Sequence, residues 1–128
     1  MPFADLRIHP LPNDRQSAII AGAVTDALEA VAGKRREVTA VRIDAGAAAC
    51  WTIAGEACVG TTAYVDVKIT EGTNSREEKA ALIARLHRIL ADTLGELAEA
   101  SYIVIHELPA QSWGYAGLSQ AARAGGQR

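Results

Sequence analysis

Between Phe3 and His9 the chain alternates, with Ala4, Leu6 and Ile8 on one side and Phe3, Asp5, Arg7 and His9 on the other. This is the period of a strand with two unlike faces. LPND breaks the alternation, and Asn13 followed by Gln16 has the spacing of a capping box that opens a helix. Ile19, Ile20, Ala23, Val24, Ala27, Leu28 and Val31 then recur at helical intervals until Gly33, so one helix face is apolar and glycine ends it. A β-branched run, VTAVRI from Val38 to Ile43, completes a β-α-β unit.

The same order returns from Thr62. AYVDVKI alternates, EGTNSREE supplies a turn and a second capping box at Ser75 and Glu78, and Ala81, Leu82, Leu86, Ile89, Leu90 and Leu94 form a second apolar stripe. Gly95 stops it, and SYIVIHE from Ser101 to Glu107 reads as a closing strand. Laying Tyr64 on Phe3 also places Asp66 on Asp5, Lys68 on Arg7, Ile69 on Ile8 and Arg76 on Arg15. Each half ends in a tryptophan and a glycine, CWTIAGE at Cys50–Glu56 and SWGYAG at Ser112–Gly117. The pattern points to a duplicated unit.

One β-α-β unit cannot cover its own strands, whereas two side by side form a four-stranded sheet with two helices on one face. The expected fold is therefore α+β, a single domain over residues 1–128. Its first unit covers 2–58, its second 62–121, and 122–128 form a flexible tail. The opposite sheet face, carrying Phe3, Asp5, Arg7, Tyr64, Asp66 and Lys68, is amphipathic. Either it forms ion pairs between the sheets of neighbouring subunits or it is a solvated polar face.

Composition narrows the function. With 49% apolar and 22% charged residues over 128, the chain is globular, not disordered. A formal charge of −2 gives no attraction to nucleic acid or to a membrane surface. No apolar stretch has membrane-spanning length and no signal-peptide pattern opens the chain, so a cytoplasmic location is expected. Cys50 and Cys58 fit no zinc or redox spacing and are expected to be reduced. The basic cluster Lys34–Arg36 reads as charge complementing a helix C-terminus.

Pro2 directly follows Met1. Proline is tolerated at the first residue of a strand, but aminopeptidases remove an initiator Met before proline, which leaves a secondary amine. A free α-amine titrates near about 7.7 to 8.0, and a pocket that withholds water and holds cations disfavours its protonated form. Such a base can move a proton between oxygen and carbon of an enol without metal or organic cofactor.

These residues carry a resemblance. The segment AYVDVKITEGTNSREEKAALIARLHRIL, followed by YIVIHELPAQSWGYAG, resembles the 4-oxalocrotonate tautomerase subunit along nearly its whole length. The elements are the Glu71-Gly72 turn, the helix beyond it, and Glu107, Pro109, Trp113 and Gly114 near the end. Pro after Met, heading a short strand, is the family's other hallmark. The whole chain is similar to a tautomerase-superfamily protein with two fused units.

The resemblance implies a tautomerase/MIF-like fold, Pro2 as general base, no cofactor or metal, and a homotrimer in place of six single units. It implies a small 2-hydroxy or 2-oxo acid substrate, with Arg42 as carboxylate anchor and Trp113 as an aromatic wall whose first-half counterpart is Trp51. The family's other arginine, directly after the first-strand turn, is absent from both halves, where Pro12 and Thr73 stand; Arg15 or Arg76, one helical turn on, is the candidate replacement. Ala63 stands where the second unit's proline would be, so there is one base per chain. Hydratase, dehalogenase or decarboxylase chemistry on the same proline is the competing enzymatic expectation, although no water-activating dyad is evident among His9, His87 and His106. A ferredoxin-like binding module is the non-catalytic one.

Overall fold

The computed structural model describes residues 2–44 and 51–125. Strand β1 (Phe3–His9) is followed by helix α1 (Asp14–Ala30), a short 3-10 turn at Arg36–Val38 and strand β2 (Ala40–Ile43). A small hairpin, β3 (Thr52–Ile53) and β4 (Glu56–Ala57), leads into β5 (Thr62–Thr70), α2 (Arg76–Leu94) and β6 (Tyr102–Leu108). A second hairpin, β7 (Gly114–Tyr115) and β8 (Leu118–Ser119), precedes the short helix α3 (Gln120–Ala124).

The main sheet has the order β2-β1-β5-β6. β1 and β5 pair antiparallel in the middle, and each carries its own parallel partner on the outside. This is the arrangement that two β-α-β units joined side by side produce, and both helices pack on the same face.

The alternation predicted for β1 and β5 is the one that burial follows. Ala4, Leu6, Ile8, Ala63, Val65, Val67 and Ile69 meet Ile20, Val24, Ala27 and Leu28 of α1 and Leu82, Leu86, Ile89 and Leu90 of α2 in one core. Full burial of each Leu or Ile contributes about 1.5–3 kcal/mol, so the core outweighs any surface pairing.

Both capping boxes are closed reciprocally. The Gln16 and Glu78 N–H groups donate to Asn13 Oδ1 (2.8 Å) and Ser75 Oγ (3.0 Å), and the side chains of Gln16 and Glu78 accept from the cap N–H groups in return.

Two expectations change. The second strand begins at Ala40, not at Val38, because Val38 and Thr39 N–H donate back to Arg35 and Arg36 carbonyls and the Thr39 hydroxyl also reaches the Arg35 carbonyl. These local bonds hold a turn where no strand partner is available. The Ala40 N–H donates to the Pro2 carbonyl, and Pro2 has no N–H with which to extend the ladder. The expected tail is partly helical: Ser119 caps α3 through the Ala122 N–H, and Arg123 lies 3.9 Å over the Tyr115 ring while donating to its carbonyl.

The duplication reaches the hairpins. Ala54-Gly55 and Ala116-Gly117 all have positive φ, the signature of type I′ turns. Each turn follows its tryptophan at the same interval. At Gly114 a Cβ would run into the Leu118 carbonyl, so the residue after Trp113 has no room for a side chain.

Candidate active site

Pro2 precedes Phe3, which pairs with Ala40 of β2 and Lys68 of β5. By parity Pro2 falls on the helix-facing side with Ala4 and Leu6, and it is fully buried. Because β5 is antiparallel to β1 and β6 is parallel to β5, the C-terminal ends of β5 and β6 lie at the Pro2 end of the sheet. The C-terminus of α1 and the N-terminus of α2 come to the same end.

There α1 closes on Gly33, whose φ is 69°. Gly33 N–H donates to Glu29 and Lys34 N–H to Leu28, a Schellman-type ending that turns the chain inward. Lys34 follows it in and is 8% exposed. Its Nζ donates to Thr73 Oγ1 at 2.8 Å, and Thr73 in turn donates to the Thr70 carbonyl at 2.7 Å. Asn74 Nδ2 donates to the Ala32 carbonyl at 2.9 Å. These bonds tie the loop after α1 to the loop before α2, while Trp113 Nε1 donates to Thr70 Oγ1 at 3.1 Å.

Charge at this end is arranged asymmetrically. Lys79 Nζ is 2.8 Å from Glu107 Oε1, and that hydrogen bond holds the Glu107 carboxyl below its ordinary value. Burial pushes the Lys34 ammonium below its ordinary 10.5, with the negative charges of Glu78 and Glu107 acting in the opposite sense. Among the described residues no carboxylate lies within salt-bridge distance of Lys34.

The other residues singled out from sequence are spread across the chain. Trp113 and the exposed Arg76 are at the Pro2 end. Trp51 is at the opposite end of β1, its ring 6.3 Å from that of His9, and Arg15 is exposed at the start of α1, also far from Pro2. Within one chain neither joins the Pro2 cluster, because the internal symmetry that pairs Pro2 with Trp113 pairs Ala63 with Trp51. Arg42 lies on the outer sheet face, with Nη1 3.1 Å from both carboxylate oxygens of Asp5. Its guanidinium is therefore engaged, on the face that Pro2 does not occupy.

The cluster Lys34–Arg36 divides. Arg36 bridges back to Asp26 and Glu29 of α1, as helix-end charge should, but Lys34 turns inward, contrary to that reading. Lys34 is buried at the Pro2 end of the sheet, a position that the sequence reading did not anticipate. Its signal was the preceding Gly33, which sets the direction of the chain leaving α1. Cys58 carries a free thiol, and Cys50 is outside the described residues.

The family model for "Tautomerase enzyme" matches residues 64–123. A probable tautomerase, K2, of Dickeya dadantii (strain 3937) is 33% identical over 60 residues, which cover 47% of this chain and 90% of that protein. This chain belongs to the tautomerase family. A second relative, probable tautomerase RSp0893 of Ralstonia nicotianae (strain ATCC BAA-1114 / GMI1000), is 40% identical over 58 residues, covering 45% and 81% of the two chains. A solved structure of a fused 4-OT, a wild-type symmetric trimer, aligns with a TM-score of 0.84 at 25% identity over 94% of this chain and 98% of its own. The curated relatives thus match about half of the chain, and the fused structure matches nearly all of it. This tautomerase consists of two fused units, as its internal repeat implies.

Proposed function

We propose that this tautomerase is a cofactor-independent keto–enol isomerase of small 2-hydroxy and 2-oxo carboxylic acids, with the Pro2 amine, freed by removal of Met1, as its general base. The observation that carries the reading is the convergence of Pro2, a buried ammonium and an indole at one end of one sheet. Proton transfer needs little else. The amine takes the proton from the enol oxygen and returns it to carbon, so one O–H bond breaks, one C–H bond forms, and no electrons are lost. A cation near the substrate oxygens stabilises the charge that develops there, and the indole excludes water from one side. The reading includes a homotrimer, in keeping with the trimeric fused 4-OT.

The test uses protein whose first residue is verified as proline by mass spectrometry. Pro2→Ala is expected to lower kcat for ketonisation of phenylenolpyruvate by about 10²–10⁴-fold, the usual contribution of a positioned general base. An added N-terminal residue should have a comparable effect. Unchanged turnover in both variants would remove Pro2 from the mechanism.

A further inference from the structure

We infer that the Lys79–Glu107 pair sets the basicity of the Pro2 amine: Lys79 neutralises a carboxylate that shares a cross-strand row with Pro2 and would otherwise hold that amine protonated. The inference rests on the Pro2 reading for its consequence in turnover. It does not rest on that reading for the titration of the amine.

Register places the two groups. Phe3 pairs with Lys68, so Pro2 falls opposite Ile69, and Ile69 pairs with Glu107. Pro2, Ile69 and Glu107 thus form one row on the helix-facing side of the sheet. With neighbouring strands about 4.8 Å apart, the Pro2 and Glu107 backbones are separated by on the order of 10 Å. On that side Ile103 and Ile105 of β6 pack against the core, and the alternation calls for a third apolar residue where Glu107 stands. A charge that breaks such a pattern is expected at a functional site.

Two partners keep Glu107 ionised. Lys79 Nζ lies 2.8 Å from its Oε1, and the Gly72 backbone N–H donates to the same carboxyl. Only Lys79 cancels the charge. The two side chains are 30% and 29% exposed, so water weakens the field of either one alone, but the fully buried Pro2 is less screened from it. The pair is also confined to one end of the sheet. Lys79 is the fourth residue beyond the Ser75 cap, and the fourth beyond the equivalent Asn13 cap is Ser17. The end that has Ala63 in place of proline therefore lacks the lysine as well.

Among the described residues, the other charges at the Pro2 end are Lys34 on the loop after α1, Glu71 in the turn after β5, and Arg76, Glu77 and Glu78 in α2. Lys34 is held by the Thr73 hydroxyl and Glu78 by its own cap, while Glu71, Arg76 and Glu77 are exposed. Lys68 and His106 occupy the next row, on the opposite face. None of these stands in the row of Pro2.

The amine is titrated through the nitrogen chemical shift of Pro2 in isotope-labelled protein whose N-terminus is verified as proline by mass spectrometry. The other prolines are amides and do not titrate. Lys79→Met is expected to raise the midpoint by roughly 0.5–1 pH unit, the scale of one partly screened charge at that distance. Glu107→Gln should lower it, because Lys79 is then the uncompensated charge. The double variant and Lys79→Arg should both return to the native midpoint. Unmoved midpoints in both single variants, or shifts of the same sign in both, would overturn the inference. Glu107→Gln is nearly isosteric and decides the matter by itself if Lys79→Met does not fold.

The acid limb of kcat/KM for phenylenolpyruvate should move with the amine, so Lys79→Met loses about three- to tenfold at about pH 7. A midpoint that moves while the rate profile stays fixed removes Pro2 from the base role and leaves the assignment of Lys79 and Glu107 standing. A fixed midpoint refutes that assignment whatever Pro2 does.

Discussion

Asp5 and Asp66 face each other as Cα partners at the centre of the antiparallel β1–β5 pair. Like charges directly opposite on one sheet face are destabilising, and here Arg42 beside Asp5 and Lys68 beside Asp66 offset them. Arg42 reaches Asp5 from β2 at 3.1 Å, and His106 and Lys68 approach Asp66 at 3.0 and 3.4 Å. The charged face is a row organised by the strand order, so its pairs lie within the chain.

That row predicts coupling. Arg42→Leu is expected to lower unfolding stability by about 0.5–1 kcal/mol, the range for an ion pair open to solvent, and the loss should shrink in an Asp5→Asn background. A double-mutant cycle by urea denaturation measures it. Additive losses would mean that Arg42 acts through something other than Asp5.

The α2 capping box predicts both a magnitude and a pH dependence. Ser75→Ala should cost about 1 kcal/mol. The Glu78 carboxylate is held below its ordinary value of 4.5, first by the Ser75 backbone N–H and next by the Asn74 amide, and Glu107 is held low by Lys79. A depressed carboxylate contributes stability that is present above 4.5 and is lost as pH falls through the lower, folded-state value. Glu78→Gln and Glu107→Gln should therefore flatten the acid limb of a stability–pH profile below about pH 5 and leave its neutral region nearly parallel to that of the native chain. Tm measured by circular dichroism across that range tests the sign.

The two tryptophans, equivalent in the repeat, should separate in function. Trp113 meets Thr70 at the Pro2 end, whereas Trp51 lies by His9 at the other. Trp113→Ala is expected to lower kcat/KM for phenylenolpyruvate by about tenfold or more, the scale of a lost aromatic contact. Trp51→Ala should affect thermal stability more than turnover. Equal kinetic losses in steady-state assays would show that both ends serve the site.

Much of the fold was legible because it is written in short-range periodicity. Alternation in FADLRIH and AYVDVKI, the stripes from Ile19 to Val31 and from Ala81 to Leu94, and the capping pairs Asn13–Gln16 and Ser75–Glu78 each depend on residues only a few positions apart. The Val38–Ala40 boundary was not legible, because β propensity favoured a strand there while the absent ladder partner beside Pro2 decided for a turn.

The candidate site was legible only in part, for a related physical reason. Sequence alone determined two copies of a β-α-β unit, their helix ends, a proline heading the first strand and the missing arginine at Thr73. The tertiary structure decided which copies of the repeated residues meet. Antiparallel pairing of β1 with β5 puts Pro2 at the end of the sheet where Trp113 meets Thr70 and leaves Trp51 at the other end, beside His9. It also places Lys34 beside Thr73, 39 positions away. A buried ammonium is defined by what surrounds it, and those neighbours come from three separate elements that only the folded sheet brings together.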